Sequence, residues 1–477
     1  MTRIGALGET CIRLSFSHLA DMSQARHLQV SHIGLSHSVE LGNLAVCPSF
    51  VRLGRKGLMN GHSFITLAMR TEMSLLRGKT VAVVGFNARP LALSAKRAGA
   101  DVIVSDYWGD EDLPACCSRS VAVLTPKPGQ RQRELLEEPL SVTLVGNLLD
   151  EIKDAHVDHV FVGSGFDDNT EALKTLENRF PITGNNSSVM RESRDFGTLG
   201  KLAIDHDLMF PRRYVAKSVS ESLDLCEDMG YPCVVRPPRS GGGRGITLVT
   251  NPAEAEVASW RIEFDETVEE VVVQEYVRGI DASCSVLSSG DSAKALSVQG
   301  QLIGVPSAGR NCDFVYSGNY MPLTMSESVR SQIEEASEQI CESLRLAGSN
   351  GLDFVVDGDG RIWLMEVNPR FQGTLEMLEY AGNMSVTTLH TLACDGELPR
   401  SSPMFESAVR LVVFARKNGT APNLSRYQTT VDRTPKGVRV KRGDPVCSII
   451  ESGGSLHSCY GRAIDVAKSI QAGLSTP

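Results

Sequence analysis

The stretch Val234–Val249, VVRPPRSGGGRGITLV, constrains the fold more than any other part of the chain. An apolar run enters four glycines within five residues and leaves as a second apolar run, which reads as strand, glycine loop, strand. It is not a P-loop, because no helix follows and the G-K-[ST] ending is missing. Consecutive glycines leave backbone N–H groups free to point at phosphate oxygens. A glycine hairpin can also close over a nucleotide as a lid. A plain turn needs neither four glycines nor the arginines beside them, Arg239 and Arg244. Gly241, Gly242, Gly243 and Gly245 are therefore read as a phosphate cradle.

A second stretch, GLDFVVDGDGRIWLMEVNPRF, reads as a β-hairpin around Asp357–Gly360. On its two arms Asp353 and Glu366 fall side by side. Glu366 and Asn368 share a face because strand side chains alternate with period two. Two carboxylates and an amide oxygen are hard ligands suited to Mg²⁺, which usually also takes substrate phosphates. Arg370, two residues on, can reach a phosphoryl oxygen and offset developing charge. Such polar residues interrupt very apolar strands, where a bland solvated face is out of place.

Upstream, from Lys79, apolar runs alternate with helical patterns. TVAVVGF and DVIVSD read as buried parallel strands, PLALSAKRAGA as the helix between them, and HVFVG as a further strand. This predicts an open sheet with helices on both faces. Gly85 and Asp106 are two features of a dinucleotide fold. The loop, however, is G-F-N-A-R-P and lacks the later glycines that admit a pyrophosphate, so the unit reads as a Rossmann-like scaffold for a neighbouring site. Asp195–Arg213 reads as a largely helical stretch, followed by a helix over SESLDLCEDMG. In VVVQEYVRGIDASCSVLSS, Gln274, Glu275, Tyr276 and Val277 follow a strand end, where backbone groups could meet an adenine edge and Glu275 could accept from its amino group. SVRSQIEEASEQICESLRL is an amphipathic helix. Residues 304–322 are polar and glycine-rich, and Arg310, Asp313, Tyr316 and Asn319 are read as lining a substrate pocket that Asn87 and Arg89 would complete.

The 477 residues exceed one ordinary core and imply several domains. With 42% apolar and 22% charged residues the chain is of a globular, enzyme-like class. A net charge of −9 argues against broad nucleic-acid binding. No apolar run has transmembrane length and no signal-type segment opens the chain, so a cytoplasmic protein is expected. The twelve cysteines are scattered without a C-x-x-C and read as buried thiols. The stretch before Met73 shows no sustained period. It reads as an extension, an upstream start, or a small irregular cap.

In this order and spacing the segments resemble the ATP-grasp superfamily of carboxylate–amine and carboxylate–thiol ligases, which includes biotin carboxylase and carbamoyl phosphate synthetase. The resemblance covers about residues 79–400, and MEVNPR is its most specific piece. The tail KGVRVKRGDPVCSIIESGGSLHSCYGRAIDVAKSI resembles the C-terminal domain of biotin-carboxylase-like members. GFNARPLALSAKRAGADVIVSDYWGDEDL looks like an archaeal-type group described as predicted ATP-dependent carboligases. The resemblance implies an α/β protein with an irregular extension (1–76), a Rossmann-like domain (77–185), a two-lobed ATP-grasp domain (186–400) and a small C-terminal α/β domain (401–477). It implies ATP and Mg²⁺ or Mn²⁺ as cofactors. Asp353, Glu366 and Asn368 would hold metal, and Arg370 and Arg236 would act on the transferring phosphoryl group. Arg194, Arg236 and the glycine loop would hold phosphates, and Gln274–Val277 the adenine end.

Two positions depart from the pattern: Arg194 and Arg236 stand where members usually carry lysine. Arginine keeps the charge, but its planar fork is not a point charge. Lys201 is an alternative phosphate contact. The implied reaction joins a small-molecule carboxylate, activated as an acyl phosphate, to an amine or similar nucleophile. The alternatives are a bicarbonate-activating carboxylase and a non-catalytic nucleotide sensor. Neither nucleic acid nor membrane is an expected partner. Related folds often form dimers, so a homodimer is compatible with the resemblance.

Overall fold

Four strands, three of them apolar, build the first layer. β1 (Thr80–Gly85) pairs in parallel with β2 (Asp101–Asp106) and β4 (His159–Val162), and β3 (Arg119–Ala122) lies beyond β2, giving the order β3-β2-β1-β4. Alternate residues serve opposite faces. Val81 and Val83 pack with Leu91 and Ala92 of α1 (Arg89–Arg97), whereas Ala82 and Val84 pack with Leu144 and Leu148 of α2 (Leu140–Ile152). Helices cover both faces, as the continuous apolar runs require. The structure, a computed structural model, describes residues 75–131, 136, 138–167, 169–238, 241–263, 270–310 and 314–475. The expected extension therefore lies, up to residue 74, outside the described residues.

Three short helices follow: α3 (Glu171–Glu177), α4 (Ser187–Glu192) and α5 (Phe196–Asp205). The side chains of Asn186 and Asp195 accept from Val189 N and Thr198 N and so cap α4 and α5. The helical pattern read over Asp195–Arg213 stops at Asp205. Asp207 turns the chain with φ of 56°, and Met209 then exchanges backbone hydrogen bonds with Ile362 and Leu364, laying the segment extended against another strand. Tertiary pairing overrides the local propensity there.

A small antiparallel sheet comes next. It has β5 (Arg213–Ala216), β6 (Cys233–Arg236), β7 (Thr247–Val249) and β8 (Val271–Glu275) in the order β5-β8-β6-β7. One face carries Cys233, Val235 and Val273, which are buried in a core with residues of α6 (Val219–Met229) and α7 (Pro252–Glu263), among them Cys226, Ala255 and Ala258. The glycine stretch joins β6 to β7, as the sequence predicts.

The large sheet is antiparallel and has eight strands. β9 (Gly279–Ser289), β10 (Ala293–Ile303), β11 (Tyr316–Met321), β12 (Ala347–Asp357) and β13 (Ile362–Asn368) are joined by β14 (Ala408–Phe414), β16 (Thr430–Val431) and β18 (Pro445–Ser452). The order is β13-β12-β9-β10-β11-β14-β18-β16, while β15 (Gly419–Thr420) and β17 (Arg439–Val440) pair apart from it. β14 pairs with β11, so the strands after residue 400 continue the sheet begun before it. Part of the segment read as lining a substrate pocket over 304–322 is likewise strand: β11 lies inside the sheet between β10 and β14. α8 (Glu327–Ser343) packs Ile333 and Ile340 against Ala282, Cys284, Leu352 and Phe354. α9 (Leu375–Gly382) and α10 (Val386–Cys394) leave the MEVNPR strand, and α11 (Leu456–Gly473) backs β14 and β18. No helix among the described residues is long and apolar enough to cross a membrane.

Candidate active site

The β12–β13 hairpin forms where the two apolar runs placed it, but its register holds a detail the pattern hides. Asp353 pairs with Glu366 and Phe354 with Leu364, so a bulge sits at Met365. Phe354 and Leu364 belong to the core face. Without the extra residue Glu366 would share that face with Leu364. The bulge re-aims Glu366 beside Asp353, on the opposite side of the sheet. Asn368, opposite Gly351, returns to the same side two residues on. Asn368 Nδ2 donates to Asp353 Oδ2 at 3.0 Å, and Gln301 Nε2 donates to Asp353 Oδ1 at 2.9 Å. Burial, and then the facing Glu366 carboxylate, push the Asp353 carboxyl up to about 7.

Arg370 leaves this hairpin toward the Rossmann-like sheet. Its Nε donates to both oxygens of Asp167 at 2.8 and 2.9 Å, and its Nη2 donates to Asn368 Oδ1 at 3.2 Å. Asp167 follows β4 at the carboxyl end of the parallel strands, where such sheets usually present their sites. Burial alone would raise its carboxyl, but Arg370 and Arg194 outweigh burial and hold it below the ordinary range. Asp167 is a site residue that the sequence reading missed. Its only signal was its position just past an apolar strand and two glycines, Gly163 and Gly165.

The small sheet and the turn between α4 and α5 supply the basic groups. Arg236 ends β6, its Nε donates to Pro237 O at 3.2 Å, and its guanidinium lies 6.0 Å from the ring centre of Phe196. Arg194 Nη1 lies against Glu366 Oε1 in an ion pair. Arg213, which ends the Asp195–Arg213 stretch and is not singled out by the sequence, opens β5 beside them. Its guanidinium is 4.2 Å from the ring centre of Phe196, and its Nη2 donates to Met365 O at 2.9 Å. Burial and then Arg236 bring its pKa down to about 9. Lys201, in contrast, is on the exposed side of α5.

The glycine loop reaches the large sheet. Gly242 O accepts from Tyr316 N at 3.2 Å. Gly243 has φ of 76° and a Cβ there would overlap the Phe314 carbonyl, so only glycine fits this approach. Gly241 and Gly245 flank it, and Arg239 is outside the described residues.

At the hinge, Gln274 is buried and its Oε1 has no hydrogen-bond partner. The Glu275 side chain, read as an acceptor for an amino group, instead takes Arg212 Nε at 3.1 Å, and its backbone N donates to Arg212 O at 2.9 Å. Tyr276 meets the Phe314 ring edge-on at 6.3 Å. Glu275, Tyr276, Val277 and Arg278 line a cavity of about 310 Å³ together with Asp357 and Trp363.

The residues read as substrate contacts separate. Tyr316 donates to Asn319 Oδ1, and Asn319 stands between Gln301 and Arg410 across the sheet. Asp353 holds Gln301, so one polar row runs from the hairpin to Arg410. Arg310 turns the other way, toward Gly443 O at 3.2 Å and the Phe414 ring. Asp313 lies outside the described residues. Asn87 is half-buried with its Oδ1 unpartnered. Arg89, expected beside it in the pocket, is enclosed at 1% exposure by Glu376, Asp432 and Asp112, and ties elements together rather than lining a pocket. Asp106 accepts from Ala88 N at 2.8 Å and Gly109 N at 2.9 Å, so its carboxylate is committed to backbone rather than to a ribose.

The small sheet, through its glycine-rich connection, reaches the large sheet that carries the paired carboxylates. Residues 201–374 match the ATP-grasp domain. The chain carries an ATP-grasp domain. It is 24% identical over 372 residues to an uncharacterised protein of Methanocaldococcus jannaschii, covering 77% of this chain and 87% of that one. It is 27% identical over 232 residues to a D-alanine–D-alanine ligase of Bordetella petrii, covering 46% of this chain and 68% of the ligase. Among solved structures, an ADP complex of N5-carboxyaminoimidazole ribonucleotide synthetase superposes with a TM-score of 0.63 at 15% identity, over 83% of this chain and 99% of that one.

Proposed function

We propose that this chain is an ADP-forming, ATP-dependent ligase that activates a small-molecule carboxylate as an acyl phosphate and passes it to an amine or similar nucleophile. The observation that carries the reading is the bulge-set register that puts Glu366, Asp353 and Asn368 on one face with Arg370 beside them. Two carboxylates facing each other across a strand pair suit a divalent cation, and Mg²⁺ or Mn²⁺ would be held by Asp353, Glu366 and the Asn368 amide oxygen. Such an ion supplies Lewis-acid neutralisation of phosphate charge.

The chain's own residues do the rest. Arg370, oriented by Asp167, donates to the phosphoryl oxygens as charge gathers on them. Arg236, Arg194 and the Gly241–Gly245 backbone hold the polyphosphate. Gln274 and the backbone of Glu275–Val277 hold the base. The glycine loop, seated on Phe314 and Tyr316, keeps water from the acyl phosphate. Tyr316, on the polar row that leads from Asp353 and held by Asn319, would meet the acceptor.

One observation favours a second reading, a nucleotide sensor without turnover: the Arg194 guanidinium rests on Glu366, where it competes with a metal. ADP release separates the two. With Mg²⁺-ATP and pooled amino acids or small carboxylic acids, release should require one pool and fall by roughly 100-fold or more in Glu366→Ala. A bicarbonate-only requirement would point to a carboxylase instead. ATP binding with no release in any pool would favour the sensor and overturn the ligase reading.

A further inference from the structure

The cleft contains a guanidinium whose donors the fold uses only in part. Arg213 pairs in register with Gln274, and Gln274 with Val234, so Arg213, Gln274 and, two residues along β6, Arg236 share the cleft face of the small sheet. Arg213 lies over two rings, 4.2 Å from the centre of Phe196 and 4.9 Å from that of Phe210. These rings fix the plane of its fork. Nη2 is spent on Met365 O, but Nε and Nη1 are buried without an acceptor. Leaving two buried donors of a charged group unmatched is costly, so a protein that keeps them has a use for them. The neighbourhood is also overloaded with positive charge. Arg194 and Arg236 both act on Arg213, and Glu366 is the carboxylate that opposes them. An anion with several charges entering the cleft would supply both the missing acceptors and the missing countercharge.

We propose that Arg213 is a third polyphosphate-binding arginine, donating through Nε and Nη1 to phosphate oxygens of a nucleoside triphosphate alongside Arg194 and Arg236. It also ties the small sheet to the strand that carries Glu366, through the Met365 carbonyl. The inference rests on the ATP reading above and extends it by one residue.

The test is binding by the full chain of Mg²⁺-ATP and of magnesium tripolyphosphate, by calorimetry, and of adenosine, by ligand-observed NMR. Arg213→Met keeps the length of the side chain and removes its charge and donors. It should weaken ATP and tripolyphosphate by about 10- to 100-fold and leave adenosine unchanged. Arg213→Lys should fall between. Equal affinities in wild type and Arg213→Met would overturn the inference, as would a parallel loss for all three ligands, which would make Arg213 a structural prop. Should Arg213→Met not fold, Arg213→Lys decides on the same terms: a loss confined to the phosphate ligands supports the inference, and wild-type affinities sink it. A wild-type chain that binds neither ATP nor tripolyphosphate would fail the ATP reading itself and take the inference with it.

Discussion

Arg89 is buried and Arg213 half-buried with Nε and Nη1 enclosed, and the fold treats the two arginines in opposite ways. Around Arg89 each guanidinium nitrogen has a carboxylate. Its Nε meets Asp432 at 2.6 Å and Asp112 at 3.5 Å, and Nη1 and Nη2 grip Glu376. Asp432 in turn takes Arg410 Nη2 at 3.0 Å, and Arg410 Nη2 also donates to Ser448 at 3.0 Å. This network joins α1, α9, β14 and the turn after β16, elements far apart in sequence. Around Arg213 two donors go unanswered and like charges crowd in. A matched charge holds a structure together, whereas an unmatched one waits for a ligand.

The contrast is broken most forcefully at Arg89. Arg89→Met leaves Glu376, Asp432 and Asp112 buried without their shared cation, and removing one partner of a buried pair typically costs about 3–5 kcal/mol. Urea unfolding should register a loss of that size. Arg213→Met removes a charge that its surroundings disfavour and should leave the midpoint nearly where it was. Equal losses in the two variants would erase the distinction. So would a stable Arg89→Met protein.

The difference between the two arginines was only half legible in the sequence. Asp353, Glu366, Asn368 and the glycine loop stand out because polar and small residues interrupt apolar runs, and local pattern suffices to find them. Arg89 and Arg213 sit in ordinary positions, one opening a helix and the other a strand. What distinguishes them is which residues hundreds of positions away face them, and this depends on long-range pairing. Arg89 was accordingly read as a pocket residue, and Arg213 passed unmarked. The bulge at Met365 was hidden for a similar reason: the spacing of Glu366 and Asn368 is right on either face, and only the partner strand decides which. Nor does any local signal after GELPRSSP announce that the later strands extend the large sheet.

His390 shows how matching works in a neutral group, and it sharpens the comparison through pH. Its Nδ1 accepts from Ser349 N and its Nε2 donates to Thr183 O, each at 2.8 Å, with Cys394 Sγ 3.8 Å away. Both nitrogens are used in the uncharged ring. Burial, against a small opposing pull from Thr183, and with His159 the nearby titratable base, brings its pKa down to about 4 from 6.5. The unfolded chain then binds more protons between those values, so this site's contribution rises with pH through the window and is lost as pH falls from about 6.5 to 4. The full effect is about 3 kcal/mol. The stability gap between wild type and His390→Gln should therefore narrow by about that amount from pH 7 to pH 4. A gap independent of pH would show that the ring is not held neutral.

The smallest expected effect asks whether the arginines at the family's lysine positions matter for rate. Arg236 keeps its Nε on Pro237 O and lies over Phe196 at 6.0 Å through its planar fork. Its charge toward the cleft, however, is one that a lysine would supply equally well. If Arg236 serves as a cation for phosphate, Arg236→Lys should change Mg²⁺-ATP affinity and ADP release by less than about five-fold, under about 1 kcal/mol. Arg213 is different, because Nε and Nη1 are the donors in question and a lysine has no fork to present. A rise in ADP release of more than tenfold in Arg236→Lys would mean that the arginine restrains turnover, and would move the protein toward the sensor reading. A fall as large as that of Arg213→Met would mean that Arg236 too is read through its fork, leaving the two arginines with one role rather than two.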